Sequence, residues 1–440
     1  MTPAGSSSVQ PRLFTPLYRN YALGILVLGY VVNFVDRSIL AILLEPIKQE
    51  LELNDTQLGL LGGLAFALFY STLGIPIAAL ADRYSRVRIL AVSMVVWSAM
   101  TAVCGLANNF LTLLAARVGV GIGEAGASPP SHSLISDYFP LEKRATALSI
   151  YALGIPFGSM IGNYVGGWGA ANLGWRDTFL LVGLPGIAVA LLTWFTLREP
   201  PRGMSEAPTK QPTQSEAPAV GSVLRLLWQR VSFRHLAFAA GLHSFVGYGA
   251  GTWNAPFLIR SHDMPIADVG SWLALISGVG AIGTFLGGYL ADRFARQSGN
   301  NRWYLWVPGY ATLFMVPLQA VAYLYGDVRA VIASMMVIAI FSGMYLGPSF
   351  AMTQALVVVR MRAGASAILL LVLNLVGMGL GPYLIGIASD LFAPEFGTES
   401  LRYALCLTMA VNIWTAAHYF LGAKSLPGDL ERADQIDATA

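Results

Sequence analysis

Four ionisable side chains stand deep inside stretches that are otherwise apolar. Asp36 and Arg37 interrupt Asn20–Leu44, and Arg117 and Glu124 interrupt Phe110–Tyr138. A lone charge at the centre of a bilayer costs at least about 2.5–3.5 kcal/mol, so such residues are expected to face a cavity or one another. Arg117 and Glu124 are seven positions apart, on one helix face, and Gly121 and Ser128 share that face. Gly119, Gly123 and Gly126 fall on the opposite side, where small residues let a second helix approach. At about 1.5 Å per residue, Asp36 and Arg117 reach a similar depth, roughly 8–10 Å below the outer surface, with Glu124 deeper. The spacing predicts an Asp36–Arg117 pair, with Glu124 left to titrate. Two carboxylates sharing cations in a low-dielectric site form a natural proton carrier. The plain alternative is that the four residues only staple two helices together.

The elements that must position these groups follow from composition. Charged residues make up 12% of the 440-residue chain and apolar residues 55%. The charged share is about half the ~25% usual in soluble domains. Ten uncharged runs of at least twenty residues occur, from Thr56–Ala81 to Tyr403–Ala423. Each can cross a hydrocarbon core about 30 Å thick as helix. With the two charge-interrupted stretches they predict twelve spans. Helix is the default form because lipid offers backbone amides no partner, and the alternation of a membrane barrel is absent. If the N-terminus is cytoplasmic, 20 of the 27 Lys and Arg residues lie in tails or inner loops. Only Lys48, Arg176, Arg260, Arg329 and Arg402 fall outside. That bias predicts both termini in the cytoplasm. The polar N-terminal tail Met1–Pro16 lacks the pattern of a signal peptide.

The chain reads as a duplication. Ala79–Arg86 is A-L-A-D-R-Y-S-R and Tyr289–Arg296 is Y-L-A-D-R-F-A-R, each following the second span of its half. Lys143–Ala147 and Met361–Ala365 echo one another more weakly. Repeated halves with a midplane site between them are the architecture of secondary transporters. Residues 1–198 are expected to form one six-helix bundle, 199–232 a flexible linker with prolines at 200, 201, 208, 212 and 218, and 233–440 the second bundle and tail. Pro156, Pro348 and Pro382, each close to glycine, predict bends in spans five, ten and eleven. Cys104 and Cys406 read as small core residues. His132, His235, His243, His262 and His418 have no metal-ligand spacing, and His243 reads as a packed neutral residue. No nucleotide-binding loop, catalytic triad or basic nucleic-acid patch is present, so an ATP-driven pump, an enzyme and a nucleic-acid binder are disfavoured.

The repeated loop, Ala78–Arg88 and Gly288–Arg296, resembles the signature of the major facilitator superfamily, with Ala78 and Ser85 in place of glycines. Arg117–Ala125, R-V-G-V-G-I-G-E-A, is similar to that superfamily's fourth-helix motif. Asn33–Arg37, Gly121–Ala125 and Ile155–Gly162 resemble the spinster branch. The resemblance implies an all-α membrane fold of twelve helices in two pseudo-symmetric bundles, and a transporter working by alternating access. It implies a proton-coupling role for Asp36 and Glu124, for which the reading above adds Arg117. A cytoplasmic gate is implied as well, in which Asp82 and Asp292 hold the two halves together near Ala145 and Ala363. Arg83, Arg86, Arg144, Arg293 and Arg362 are its basic members. Spinster proteins are associated with sphingolipid and lysophospholipid export. One charged wall (Arg37, Arg117, Glu124) faces one neutral wall (Asn254, Asn374 among aromatic and aliphatic residues), which suits an amphiphile such as a lysophospholipid or sphingoid lipid. Open alternatives are a hydrophilic organic anion or sugar as substrate, a lipid scramblase, and a transporter-like sensor. The expected partners are protons, a small molecule and the lipid of an inner membrane, for a monomer without cofactor or metal.

Overall fold

The computed structural model describes residues 14–205 and 220–439. It contains twelve membrane-length helical segments. In the first half these are α1 (Pro16–Leu51), α2 (Asp55–Arg83), α3 (Arg86–Cys104), α4 (Phe110–Tyr138), α5 (Leu141–Asn172) and α6 (Trp175–Thr196). In the second they are α7 (Val231–His262), α8 (Ile266–Ser298), α9 (Trp303–Leu324), α10 (Val328–Ala355), α11 (362–396) and α12 (Ser400–Thr439). Local caps set several starts: Thr15 before Pro16, and reciprocal capping boxes of Asn54 with Gln57 and Asn109 with Thr112.

Three helix pairs make most of the contact between the halves: α5 with α8, α2 with α11, and α1 with α7. The first two exchange under the internal duplication. Backbones touch where glycines leave room. A Cβ on Gly167 of α5 would lie 2.7 Å from the Ile266 carbonyl, and one on Gly63 of α2 would lie 2.7 Å from the Gly379 carbonyl. The glycine face of α4 packs as its pattern predicts, with Gly119 against Met100 and Gly123 against Trp97 of α3. The helices are irregular near the expected prolines. Regular helix stops at Leu153 before Pro156, and at Met344 and Tyr345 before Pro348. A π-helical segment, Leu373–Leu380, precedes Pro382. It packs against a second π-helical segment, Leu60–Leu64 of α2.

Both described termini and residues 197–205 and 220–230 lie at one end of the bundle, here called the terminal end; loops 52–54, 263–265 and 397–399 lie at the far end. The linker is not free where it begins. Buried Arg86 donates to Glu199 at 2.7 Å, to Ser133 at 2.8 Å, to the Pro200 carbonyl at 2.8 Å and to Asp137. Glu199 also accepts the Ser85 hydroxyl and the Val87 N–H, capping α3. Burial pushes the Glu199 carboxyl up, but these donors outweigh it and hold the group below the usual carboxylate range. The rest of the predicted flexible stretch, 206–219, lies outside the described residues. Beyond it the short helix Val220–Gln229 buries Val223 and Leu227 against the second half.

Candidate functional site

α1 and α4 bring the four predicted charges together, but not in the predicted pairing. Arg37 Nε, not Arg117, donates to Glu124 Oε2, at 2.5 Å, and the Glu124 side chain is fully buried. No ion pair joins Asp36 and Arg117 among the described residues. Adjacent positions on a helix point about 100° apart, so α1 cannot aim Asp36 and Arg37 at one wall. Its rotation gives Arg37 to α4 and turns Asp36 towards Thr101 of α3. Both Asp36 oxygens are buried and make no ion pair among the described residues, and Arg117 Nε and Nη1 and Glu124 Oε1 are buried without a hydrogen-bond partner. Arg37 is also framed by rings. Its guanidinium carbon lies 4.6 Å from the Tyr70 centroid and 5.0 Å from those of Phe34 and Phe66, within cation–π range. Arg117 lies 5.5 Å from the other neighbour of that cage, Phe66.

Arg37 and Arg117 line a cavity of about 240 Å³ between the halves, with Ser159, Tyr248 and Met378. A second cavity of about 320 Å³ runs into the C-terminal half among α7, α8, α9 and α10. The two share Asn163, Gly247, Gly251 and Ser277. Asn163 of α5 stands at the junction and donates to Ser277 of α8 at 3.0 Å. The second cavity is walled by Met315, Met335, Ile338 and Ile276, with Asn254 and Gln319 as its neutral polar fittings. Asn254 is therefore where the sequence placed it. Asn374 is not: it sits near the start of the π-helical segment and lines neither cavity, whereas Met378 of the same segment lines the first. Gln319 is held by Asn412 at 2.8 Å and donates to Thr408. His243 is buried, with its ring nitrogens 2.9 Å from the Thr312 hydroxyl and 3.0 Å from the Ser342 carbonyl.

The expected gate at the terminal end is not made in this conformation. Asp82, Arg83 and Arg362 are exposed and form no ion pair among the described residues. Asp292 accepts from Tyr304 at 2.7 Å, Arg293 donates to Tyr289, and Arg144 donates to the Ser136 carbonyl, all within one half. Arg86 belongs to the linker knot inside the first half. The cross-half ion pairs are at the far end, among residues not predicted as functional. Arg260 of α7 grips Glu45 of α1 at 2.7 Å and Asp55 of α2 at 2.7 and 2.9 Å. The α7 helix continues to His262, so the second half does carry a buried cation within a span. A signal was present: Arg260 and Lys48 are basic residues on the side the charge bias disfavours.

Residues 26–382 match the Major Facilitator Superfamily, and the chain belongs to it. It is a multi-pass integral membrane transporter, not an enzyme. Within the superfamily it is spinster-like. A solved bacterial homolog of the human lysosomal transporter spinster, inward-facing and unoccupied, matches with a TM-score of 0.86 and 34% identity over 94% of this chain and 99% of that one. An MFS-type efflux pump of Mycolicibacterium smegmatis is 32% identical over 93% of this chain and 94% of its own. A hexuronate transporter of Bacillus subtilis is 27% identical over 63% of this chain and 65% of its own.

Proposed function

We propose that this protein is a proton-coupled transporter of a single-chain amphiphile with an anionic head, a lysophospholipid being the model substrate. The observation that carries the reading is the incomplete pairing around Arg117. Arg37 is committed to Glu124, while Arg117 lines the cavity with two guanidinium nitrogens unpartnered and Asp36 makes no ion pair among the described residues. Unpaired buried charge is expensive. An anion on Arg117 and a proton on Asp36 satisfy both groups together. When the anion leaves, Arg117 becomes available to Asp36 and the proton is displaced. Substrate and proton therefore bind in the same state, which links protonation to conformation by population shift. The head sits against Arg117, and the chain passes Asn163 into the Met- and Ile-walled cavity. Taken together, the two connected cavities, of about 240 and about 320 Å³, fall within the ~300–1,000 Å³ range of small-molecule sites.

The charge bias supports placing the terminal end in the cytoplasm of an inner-membrane protein, and the open gate there supports an inward-facing state. A second reading, a hydrophilic organic anion, is favoured by Asn254 and Gln319 in the deeper cavity and by the likeness to the hexuronate transporter. Proteoliposomes under an imposed pH gradient separate the two. The expected result is gradient-driven movement of a fluorescent lysophospholipid, lost in Asp36→Asn while binding persists. Unchanged gradient dependence in Asp36→Asn would remove Asp36 from coupling. Saturable hexuronate uptake without response to lysophospholipid would select the second reading.

A further inference from the structure

The far end is closed by a reciprocal arrangement in which each half supplies what the other's backbone or side chains lack. Helix α2 begins at Asp55, and its first amides have no partner within the helix. Asn54 satisfies the Gln57 N–H locally. The Asp55 and Thr56 amides donate instead to Asp390 of α11, in the other half, at 3.0 and 2.7 Å. The Thr56 hydroxyl adds a bond of 2.6 Å to the same carboxylate. Asp390 is thus an N-cap supplied across the domain boundary, placed where the helix dipole favours a negative charge. In the opposite sense, Arg260 of the second half forks onto Asp55 and reaches Glu45, and Ser389 donates to Asp55 at 2.6 Å. Lys48 completes the Asp55 shell from within the first half at 2.6 Å. Backbone contact backs the side chains: a Cβ on Gly386 would collide with the Asp55 carbonyl.

We propose that Asp390 and Arg260 are the residues that set the free energy of opening at the far end in the transport cycle. Seven hydrogen bonds cross the boundary here, and all use Arg260, Ser389 or Asp390. A rigid-body separation of the halves breaks them as one unit. Neither contribution is replaced within its own half, since Asp55 keeps only Lys48, Glu45 keeps only a long bond from Gln49, and the first amides of α2 keep only water. The paired π-helical segments lie along the same α2–α11 contact, on the path from this clasp to the cavity residue Met378. The proposal rests on the chain being a transporter and not on its substrate or coupling ion, so it stands or falls apart from them.

A matched control exists within the molecule. Asp429 of α12 caps α7 by accepting the Ser232 N–H at 2.8 Å and its hydroxyl at 2.7 Å, but inside one half. Spin labels at Leu106→Cys and Tyr325→Cys, exposed positions at the far end of opposite halves, report separation by double electron–electron resonance. Cys104 and Cys406 are replaced by alanine. The expected result is a longer distance component in Asp390→Asn, absent from the parent and from Asp429→Asn. Arg260→Lys, which loses the fork, should show a smaller one. Thr56→Val removes a single bond from the clasp and serves if Asp390→Asn does not fold. Distances unchanged in Asp390→Asn or its substitute and in Arg260→Lys would overturn the proposal. So would equal lengthening in Asp429→Asn, which would mark a general loosening.

Discussion

The two ends of this transporter use the same chemistry, arginine on carboxylate and carboxylate on a helix start, but connect different things with it. At the far end Arg260 and Asp390 reach across the boundary between halves. At the terminal end Arg86 and Glu199 do similar work inside the first half, tying α3 and α4 to the linker. The motif residues that could bridge the halves there, Asp82 and Asp292, face solvent or a neighbour in their own half. A network within a half moves with it as a rigid body and is silent in alternating access. A network across the boundary must be made and broken in every cycle. The location of an ion pair relative to that boundary, more than its strength, therefore separates a structural role from a cycling one.

Four measurements test this division, in order of expected effect. Arg86→Ala leaves Asp137 and Glu199 facing one another without a cation, and removing one partner of a buried pair costs about 3–5 kcal/mol. A clear fall in thermal midpoint in detergent is expected, with no far-end separation in the spin-label assay. Lengthening there would mean that the two networks are coupled and the division is wrong. Arg117→Gln should weaken substrate binding by about 10–100-fold, since a hydrogen bond to a charged group contributes roughly 1.5–3 kcal/mol. Titration calorimetry or a competition assay reads it, and thermal stability should change less than for Arg86→Ala, because Arg117 makes no close ion pair in this state.

The third measurement is of pH. The folded-state pKa of Glu199 is depressed, so its contribution is present above the ordinary carboxylate range and is lost as the pH falls through its folded value. A group this accessible to solvent contributes less than about 1 kcal/mol. Protection factors for hydrogen exchange at residues 85–88, taken relative to the intrinsic rate at each pH, should fall on acidification, and in Glu199→Gln they should be low already at neutral pH. The smallest effect is expected from Asp82→Asn, within about 0.5 kcal/mol of parent stability, as for surface positions without partners. A larger loss would place Asp82 in a contact made within this conformation.

Much of the architecture was legible in the chain. Lipid demands long apolar helices, so the twelve spans could be counted from charge-free runs. The glycine face of α4 could be assigned because helical periodicity needs no tertiary knowledge. The basic residues that broke the charge bias also carried information. Lys48, Arg176, Arg260 and Arg402 each sit on a carboxylate: Asp55, Glu50, both Glu45 and Asp55, and Glu399. Four of the five cations on the disfavoured side thus have a carboxylate partner, Arg329 being the exception among the described residues, and the sequence held that hint without saying which partner.

What the amino-acid sequence determined by itself was which residues share a helix face and that the set is duplicated. It could not determine how each helix is rotated about its axis against its neighbours. That rotation arises from packing, such as the contact of Gly123 with Trp97 and of Gly167 with Gly270. It decided that Glu124 met Arg37 rather than standing apart, that Asp36 and Arg117 formed no ion pair, and that Met378 rather than Asn374 reached the cavity. Periodicity is a property of one helix, whereas pairing is a property of two, and only the folded chain holds both.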